Sequence, residues 1–200
     1  MSVRATPRKA PVDAGATPTG KVASFPPQVG AGCRVLVLGS VPSVRSLELR
    51  QSYAHPHNLF WPFMGLLYGA GPELAYAERI AQLHAAGIGI WDVLEQCERA
   101  GSLDSSIVSA SEVPNDIPGL LADYPTIAVI ALNGAKAQQV FAKRIAPAIA
   151  AEGRVGPTLL ALPSTSPANA SMTRAIKFER WNEILQWAPR NDGVATKTAR

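Results

Sequence analysis

The stretch CRVLVLGS, residues 33–40, decides the fold class of this chain of 200 residues. It is a short apolar run that ends in a Gly-Ser turn, which is typical of a buried β-strand. Three later stretches have the same character: IGIWDVL (88–94), TIAVIALNG (126–134) and PTLLALPS (157–164). Near-continuous apolar strands favour a mostly parallel sheet that is covered on both faces.

Helical patterns separate the strand candidates. The stretch PELAYAERIAQLHAAG (72–87) has apolar residues at helical spacing and a stop at Gly87, and similar patterns follow at 135–153 and about 171–187. Alternating strands and helices predict an α/β fold, with three layers (α/β/α) and a central, mostly parallel four-stranded sheet. We expect the core to include Trp61, Phe63 and Leu66.

The two ends of the chain differ in composition from the middle. Residues 1–30 are rich in Pro, Ala, Gly and Thr without periodicity, and 188–200 are similar, so both are predicted to be disordered tails around one domain, 31–187. The tails hold most of the basic charge: 1–30 carry four basic residues against one acidic, and 188–200 carry three against one. Of the net charge of +4, the predicted domain therefore holds −1.

Composition excludes several classes of protein. No apolar run approaches the ~20 residues that a membrane span needs, and the N-terminal residues lack the apolar stretch of a signal peptide. We therefore expect a cytoplasmic protein that associates with the nucleoid and not with a membrane. The only cysteines, Cys33 and Cys97, cannot build a cysteine-rich zinc site or a four-cysteine iron–sulfur cluster. Both are predicted to be small buried residues in a reducing compartment.

Motifs for a bound cofactor are also missing from the sequence. There is no G-x-G-x-x-G fingerprint for a dinucleotide and no phosphate loop for a nucleotide. The G-x-S-x-G motif that carries a serine nucleophile is also absent from the sequence. His55 and His57 lie close in sequence, but the third histidine, His84, belongs to a mainly apolar helix, so a metal site lacks ligands. We expect a monomer with no metal and no cofactor.

The strand ends indicate where a ligand would bind. In open α/β sheets, ligands bind at the carboxyl ends of the strands. Here those ends read LGSVPS, WDVL, ALNG and ALPSTSPAN, which are all polar, small or glycine-containing turns. The sequence therefore predicts one site to which four loops contribute.

Two of these loops suit phosphate contacts. GSVPSVRSL offers backbone amides and the Ser40 and Ser43 hydroxyls, although a strand-to-helix turn with a serine cap explains it equally well. LPSTSPANA has the same character and enters a helix that bears Arg174, Lys177 and Arg180 on one face near its N-terminus. The alternative for these three cations is a solvated helix face.

The stretch QSYAHPHNLFW (51–61) is rich in rings and hydrogen-bonding groups. With its neighbours it carries a family resemblance. In order and spacing, LGSVPSVRSL, QSYAHPHNLFWPFM, GIGIWDVLEQCERAGSLDSSI, IALNGAKA and LPSTSPANA resemble the uracil-DNA glycosylase superfamily, and most closely its hypoxanthine-DNA (deoxyinosine) glycosylase branch. YAHPHNLFW also resembles a stretch of the mismatch-specific uracil glycosylases. The resemblance runs from about Arg34 to Trp187.

The resemblance implies an enzyme that hydrolyses the N-glycosidic bond of a deaminated base flipped out of DNA, without a metal or redox cofactor, and leaves an abasic site. Hypoxanthine is favoured as the base and uracil is possible. Asn58 matches the branch's catalytic asparagine and would position the attacking water, although it also suits the capping of a helix. Many other members of the superfamily carry Asp or Asn in the first motif, where this chain has Val41 or nearby Ser40, and His at the head of the last motif, where this chain has Leu162.

Further roles follow from the same resemblance. Tyr53 matches a ring that stacks on the flipped base, and Phe60 is a second candidate or a core residue. Asn133 either bonds the base edge or tolerates a tight turn. The implied base pocket comprises Gly39, Ser40, Val41, Tyr53, Phe60 and Asn133, and the implied DNA contacts are Ser43, Ser164, Ser166, Asn169, Arg174 and Lys177. Relatives often insert a bulky wedge into the base stack near the position of Ser166, so this chain would need another residue for that role.

Rival functions are a uracil or mismatch glycosylase, a catalytically weak nucleic-acid-binding module of the same fold, and a hydrolase of free nucleosides or nucleotides. The domain charge of −1 conflicts with attraction to phosphates unless local cations, with Arg45 and Arg50, and the basic tails offset it. We therefore expect deletion of residues 1–30 to weaken DNA binding at low salt and to leave the chemical step intact.

Overall fold

The computed structural model describes residues 20–153 and 155–190. The predicted tails at 1–19 and 191–200 lie outside the described residues. In chain order the strands and helices are β1 (Gly20–Ala23), β2 (Val35–Gly39), α1 (Val44–Leu49), α2 (Phe60–Tyr68), α3 (Tyr76–Ala85), β3 (Ile88–Asp92), β4 (Leu94–Arg99), β5 (Val113–Pro114), α4 (Ile117–Asp123), β6 (Val129–Asn133), α5 (Ala135–Val140), α6 (Ala146–Ala151), β7 (Thr158–Leu162) and α7 (Arg174–Trp181).

The central sheet has the predicted architecture. Its strand order is β3-β2-β6-β7, and all three pairings are parallel. The four strands coincide with the four apolar runs of the sequence, which confirms the predicted α/β fold. At β7 the cover is incomplete, because Thr158, Leu159 and Ala161 of this edge strand are exposed.

Alternation along the strands divides the core between two layers of helices. Val35 and Val37 of β2 pack with residues of α2 and α3 on one face of the sheet, whereas Leu36 and Leu38 pack with residues of α4 and α5 on the other. Trp61 and Phe63 are buried as predicted, but Leu66 is 54% exposed, so its predicted core position is wrong. Leu66 lies on the face of α2 that points away from the sheet, opposite the buried positions of the helix.

A second, antiparallel sheet was not predicted. β1, β4 and β5 form it in the order β1-β4-β5. The stretch IGIWDVL is therefore not one strand: β3 ends at Asp92, and β4 begins at Leu94 in the other sheet. Both cysteines are buried, as predicted. Cys97 of β4 belongs to a core cluster that also includes Val22 of β1 and Leu36 of β2.

The predicted N-terminal boundary of the domain is wrong for residues 20–30, which are structured. β1 pairs with β4, Val22 is buried against the core, and Gln28 exchanges backbone hydrogen bonds with Ile90. The Trp91 Nε1 also donates to the Phe25 carbonyl at 2.8 Å. A strand of only four residues in a Pro- and Gly-rich setting gives too short a pattern for detection from the sequence.

The C-terminal boundary also lies later than predicted. Ala188 is 1% exposed, and its carbonyl accepts a hydrogen bond from the Tyr68 hydroxyl at 2.8 Å. The helix predicted at 135–153 is present as α5 and α6 joined by a π-helical turn, Phe141–Ile145. The helix predicted from about 171 begins at Arg174, after the cap Thr173, and continues as a 3₁₀ turn, Asn182–Gln186. Within the described ranges, no helix is long and apolar enough to cross a membrane.

Candidate active site

The carboxyl ends of the central strands open into a cavity of about 860 Å³. The cavity lies where β2 and β6 are neighbours and their following connections leave in opposite directions, the usual place for a ligand in such sheets. All four predicted loops contribute to it. Its walls include ten of the predicted site residues: Gly39, Ser40, Val41, Ser43, Tyr53, Asn58, Asn133, Ser164, Ser166 and Asn169.

Asp92, the last residue of β3, also lines this cavity and was missed as a site residue. Asp92 is paired with Gly39 across the parallel strands β2 and β3. A Cβ atom on Gly39 would lie 2.6 Å from Asp92 Oδ1 and 3.1 Å from the Tyr53 hydroxyl oxygen. The Asp92 carboxyl group and the Tyr53 hydroxyl group therefore both approach the backbone of Gly39, where no side chain occupies the space. The available signal was the aspartate at the end of the WDVL strand.

The environment of Asp92 favours its neutral form. Burial, together with the negative charge of Asp104, raises the pKa of the Asp92 carboxyl group to about 7, although Arg99 opposes the shift. Among the described residues, no hydrogen bond or ion pair engages this carboxyl group. A carboxyl group that titrates near neutral pH in a cavity is a candidate for binding or catalysis.

Tyr53 is held in an unusual backbone conformation at the cavity wall. Its φ of 57° is in the left-handed region, which is uncommon for a residue with a side chain. The neighbouring Ser52 fixes it, because the Ser52 N–H donates to the Tyr76 hydroxyl at 3.0 Å and the Ser52 carbonyl accepts from Trp61 Nε1 at 2.9 Å. The Tyr53 hydroxyl is buried near Asp92 and Asn133, and it makes no hydrogen bond of ordinary geometry among the described residues. Burial and the nearby Asp92 raise the pKa of this hydroxyl group.

Of the two alternatives for Phe60, the structure shows the core residue and not a place in the wall of the cavity. Phe60 is fully buried and stacks against Tyr53, with ring centroids 4.0 Å apart and an angle of 24° between the rings. It contacts Trp61 and Trp181 edge-on and does not line the cavity. Phe60 is the core residue that supports the Tyr53 ring from behind.

The turn before α2 presents Asn58 to the cavity. The Asn58 N–H donates to the His55 carbonyl at 2.8 Å, and the His57 N–H donates to His55 Nδ1 at 3.2 Å, so the two histidines shape this turn. Asn58 Oδ1 accepts from the Phe60 N–H at 3.0 Å, which is the capping role considered from the sequence. An amide oxygen has two lone pairs, and Asn58 Nδ2 has no hydrogen bond to the described residues, so the side chain can still bind a water.

Asn133 joins two walls of the cavity. Its Nδ2 donates to the Thr165 hydroxyl at 2.9 Å, and its Oδ1 accepts from the Thr165 N–H at 3.0 Å. The Thr165 carbonyl in turn accepts from the Leu59 N–H at 2.9 Å, beside Asn58. Asn133 therefore uses both polar atoms of its side chain to hold the last loop, which follows β7, against β6. Neither predicted role, contact with the base edge or tolerance of a tight turn, describes this fully. Gly134 supplies the tight turn, with a φ of 94°.

Lys177 is buried, which neither the predicted DNA contact nor the alternative of a solvated helix face describes. Lys177 is 2% exposed, and its Nζ donates to the carbonyls of Ser164 at 2.8 Å and Asn169 at 2.6 Å. Burial lowers the pKa of the Lys177 ammonium group. Its aliphatic stem faces inwards because position 177 lies on the buried side of α7, so the charge fixes the last loop from beneath. Arg174 is exposed at the start of α7, outside the walls of the cavity.

The other predicted cations differ in their pairing. Arg45 pairs with Glu48 at 2.9 Å and Arg180 pairs with Glu183 at 2.6 Å, both as exposed pairs within a helical turn. Lys136 lines the cavity, where it forms an ion pair with Glu112. Among the described residues, Arg50 and Arg174 have no such carboxylate partner. Of the cations named from the sequence, these two are both exposed and without a carboxylate partner.

Several of the predicted hydroxyl contacts already bond locally. Ser43 caps α1 by accepting from the Ser46 N–H at 3.1 Å, and Ser40 Oγ donates to Asp104 Oδ1 at 2.7 Å. Ser164 Oγ accepts from the Ser166 N–H at 3.2 Å. These bonds give the loops a defined shape. No group of three His, Cys, Asp or Glu side chains in the described part of the chain could hold a metal ion.

Comparisons with known proteins identify the family of this chain. A family model described as the uracil DNA glycosylase superfamily matches residues 26–188. The chain belongs to this superfamily. Membership confirms the resemblance read from the five motifs and makes the chain a DNA glycosylase, a hydrolase that acts on N-glycosyl bonds.

Individual relatives give the same placement. The chain is 32% identical over 163 residues to a protein of Methanosarcina acetivorans named hypoxanthine DNA glycosylase, across 81% of this chain and 96% of that protein. A protein of the same name from Methanosarcina barkeri is 32% identical over 117 residues, 58% of this chain and 73% of that protein. A solution NMR structure from Methanosarcina acetivorans, described as a candidate uracil DNA glycosylase, superposes with a TM-score of 0.68 at 30% identity and covers 84% of this chain and 98% of that one.

Proposed function

We propose that this enzyme removes a deaminated base from DNA, hypoxanthine in preference to uracil, by hydrolysing the N-glycosidic bond of a nucleotide rotated out of the duplex. The observation that carries the proposal is the convergence of Asn58, Asp92 and Tyr53 on one cavity of about 860 Å³. The names of the two Methanosarcina relatives support hypoxanthine as the base.

Tyr53 provides the stacking surface for the base. One side of its ring packs on Phe60, and the residue lines the cavity, so a flat base can lie against the ring within the site. Stacking of a base on an aromatic ring contributes about 1–3 kcal/mol and tolerates any base. Tyr53 therefore binds the extruded base without selecting it.

Asp92 contacts the edge of the base. A deaminated base presents a ring N–H beside a carbonyl oxygen, and a neutral carboxyl group offers an acceptor and a donor in the complementary order. The pKa of about 7 keeps the neutral form of Asp92 populated near neutral pH. The donated hydrogen bond also stabilises the negative charge that develops on the departing base.

Asn58 positions the attacking water. Departure of the base leaves a cationic sugar, and an oriented neutral amide suffices to hold the water that attacks it. Val41 and Leu162 have no polar group for this task, and Asn133 is bonded to Thr165. Asn58 Oδ1 accepts one hydrogen bond, from the Phe60 N–H, whereas Asn169 Oδ1 already accepts from both the N–H and the hydroxyl group of Ser171, so Asn58 keeps a free lone pair for a water.

DNA phosphates contact the rims of the same cavity. Ser43, Ser164, Ser166 and Asn169 line it on two loops whose local bonds fix the direction of the backbone amides. Arg174 and Arg50 add exposed positive charge. We infer that the protein works as a monomer on DNA in the cytoplasm and leaves an abasic site. The nearby Lys136 is tied to Glu112, which disfavours attack of its amine on the sugar.

The decisive experiment measures free base released from oligonucleotides of one sequence that contain hypoxanthine, uracil or xanthine, with deoxyinosine as a free nucleoside control. We expect release of hypoxanthine from DNA, and strand cleavage only after alkali. Faster release of uracil would favour a uracil or mismatch glycosylase. Release from the free nucleoside alone, or binding without release, would contradict the proposal.

A further inference from the structure

Leu103 has an unusual position at the mouth of the cavity. It is 51% exposed, and among the described residues that line the cavity it is the only large apolar side chain so exposed. It follows β4 in the segment AGSLDSS, where its neighbours Ser102, Asp104 and Ser105 are polar and exposed. Leu103 belongs to neither of the two hydrophobic cores.

The side chains of the two residues that flank Leu103 bond to the loop that follows β2 and to the start of α1. The Val44 N–H donates to Ser102 Oγ at 3.0 Å, and Ser40 Oγ donates to Asp104 Oδ1 at 2.7 Å. These bonds tie the residues before and after Leu103 to the first wall of the cavity. The protein therefore holds an apolar side chain in water at a defined place.

A buried arginine strengthens this attachment. Arg99 is 2% exposed, and it donates through Nε to the Gly101 carbonyl at 2.9 Å and through Nη2 to the Pro42 carbonyl at 2.5 Å. Gly101 has a φ of 64°, which turns the chain directly before Leu103. The segment is thus anchored by main-chain and side-chain bonds, as a residue that must press against a ligand requires.

Extrusion of a base leaves a gap between its former neighbours, and the lost stacking has a free-energy cost that an inserted apolar side chain reduces. The loop after β7 offers no large apolar side chain at the cavity, since Ser164, Thr165, Ser166 and Asn169 are polar and Ala168 is small. We propose that Leu103 enters the base stack beside the extruded nucleotide and fills the space that the base has left. This inference rests on the proposed function.

The test compares single-turnover base release from duplex and single-stranded DNA of the same sequence containing hypoxanthine. A single strand has no opposite base to displace, so a wedge assists the duplex reaction more. We expect Leu103→Ala to lower the ratio of the duplex rate to the single-strand rate by about tenfold or more, and Leu103→Met to keep most of it. Leu66→Ala is the matched control, because Leu66 is 54% exposed on α2 away from the cavity.

A competing candidate is Met172, which is 43% exposed after the last loop and does not line the cavity. We expect Met172→Ala to keep the rate ratio. An unchanged ratio in Leu103→Ala, or an equal fall in Leu66→Ala or Met172→Ala, would overturn the proposal while wild-type release from DNA upholds the proposed function. A wild type that releases no base from either form of DNA would overturn both.

A second readout follows base extrusion without chemistry. 2-Aminopurine placed beside the target base fluoresces more strongly when its stacking is lost. Binding of the wild type should raise this fluorescence, and Leu103→Ala at saturating concentration should raise it less. An equal rise with both proteins would contradict the insertion of Leu103.

Discussion

Asp92 Oδ1 lies 2.6 Å from the point that a Cβ atom on Gly39 would occupy, and the two residues are paired across neighbouring parallel strands. The Tyr53 hydroxyl oxygen lies 3.1 Å from the same point. This part of the cavity therefore depends on the missing side chain at position 39, because any side chain there would displace both polar groups. The proposed stacking ring and the proposed base-edge contact meet at this glycine.

Gly39→Ala should impair the reaction more than it impairs folding. The added methyl group must push Asp92 and Tyr53 apart, and overpacking of this kind costs about 1–3 kcal/mol of stability. We expect the single-turnover rate of base release to fall by about tenfold or more, since misplacement of positioning groups is costly. Gly32→Ala is the control, because nothing lies within 4 Å of its Cβ position. Wild-type activity in Gly39→Ala would contradict this view of the cavity.

Asp92 should make stability depend on pH. The folded protein holds the Asp92 proton up to about pH 7, whereas the unfolded chain releases it near the ordinary pKa of 3.8. Asp92 therefore lowers the free energy of unfolding as pH rises between these values, and the loss is complete above about pH 7. Asp92→Asn removes this penalty. Its advantage in denaturant unfolding should be small near pH 4 and largest above pH 7, and an advantage independent of pH would contradict the raised pKa.

The rate of base release should report the same ionisation. If the neutral carboxyl group donates to the base, the wild-type single-turnover rate should fall as pH rises through about 7. Asp92→Asn keeps a donor and an acceptor of similar shape, so we expect a slower rate without this step, whereas Asp92→Leu should lose both contacts. A step that persists unchanged in Asp92→Asn would assign the ionisation to another group.

Substitution of Lys177 should lower the stability of the protein, whereas substitution of Arg174 should lower its affinity for DNA. Lys177→Met leaves the Ser164 and Asn169 carbonyls without their charged donor, and we expect a loss of about 1.5–3 kcal/mol in the free energy of unfolding. Arg174→Ala should change stability by less than about 0.5 kcal/mol and reduce the salt dependence of DNA binding by about one phosphate contact. Denaturant unfolding measures the stability of each variant, and binding titrations over a range of salt concentrations measure its DNA affinity. A larger loss of stability in Arg174→Ala, or a change in salt dependence only in Lys177→Met, would contradict these roles.

The tail prediction changes because residues 20–30 belong to the domain. Gln28 Nε2 donates to Ser52 Oγ at 3.1 Å, next to Tyr53, and Gln28 Oε1 accepts from the Tyr76 hydroxyl at 2.9 Å. Deletion of 1–30 should therefore destabilise the site itself. Deletion of 1–19, with three basic residues against one acidic, should weaken DNA binding at low salt and leave the rate at saturating enzyme unchanged. A slower saturated rate after the shorter deletion would be evidence against this division.

The central sheet could be predicted from the sequence because each of its strands is a short apolar run followed by a turn. Val35 and Leu36 can be recognised as buried strand residues without information about the residues that they pack against. The sequence was insufficient for β1, whose pairing with β4 supplies the stability that four weakly patterned residues lack. Pairing across 70 residues or more leaves no local signal.

The candidate site shows the same difference between residues that local sequence identifies and residues that only the tertiary structure identifies. Asn58 and Tyr53 belong to a motif that is continuous in sequence, and both reach the cavity. Asp92 is visible in the sequence as the aspartate of WDVL, but its register opposite Gly39 is what places it in the wall of the cavity. Lys177 has the spacing of an exposed cation, but its depth depends on how α7 packs over the last loop. Burial and register are tertiary properties, so these residues were misjudged or missed.

In the proposed reaction, Asn58 positions the water that releases a deaminated base from DNA. Asn58 Oδ1 also accepts from the Phe60 N–H, so loss of the cap must be separated from loss of catalysis. Asn58→Ser keeps a capping acceptor but lacks the amide, whereas Asn58→Ala loses both. Both variants should bind DNA, and the unfolding of Asn58→Ser should stay close to that of the wild type.

The most direct measurement is single-turnover release of free hypoxanthine from duplex DNA by the wild type, Asn58→Ser and Asn58→Ala at saturating enzyme. We expect release by the wild type, and rates lower by about a hundredfold or more in both variants, the size of effect that a positioned catalytic group provides. Undiminished release by a folded, DNA-bound Asn58→Ala protein, or no release of any base by the wild type, would contradict the account.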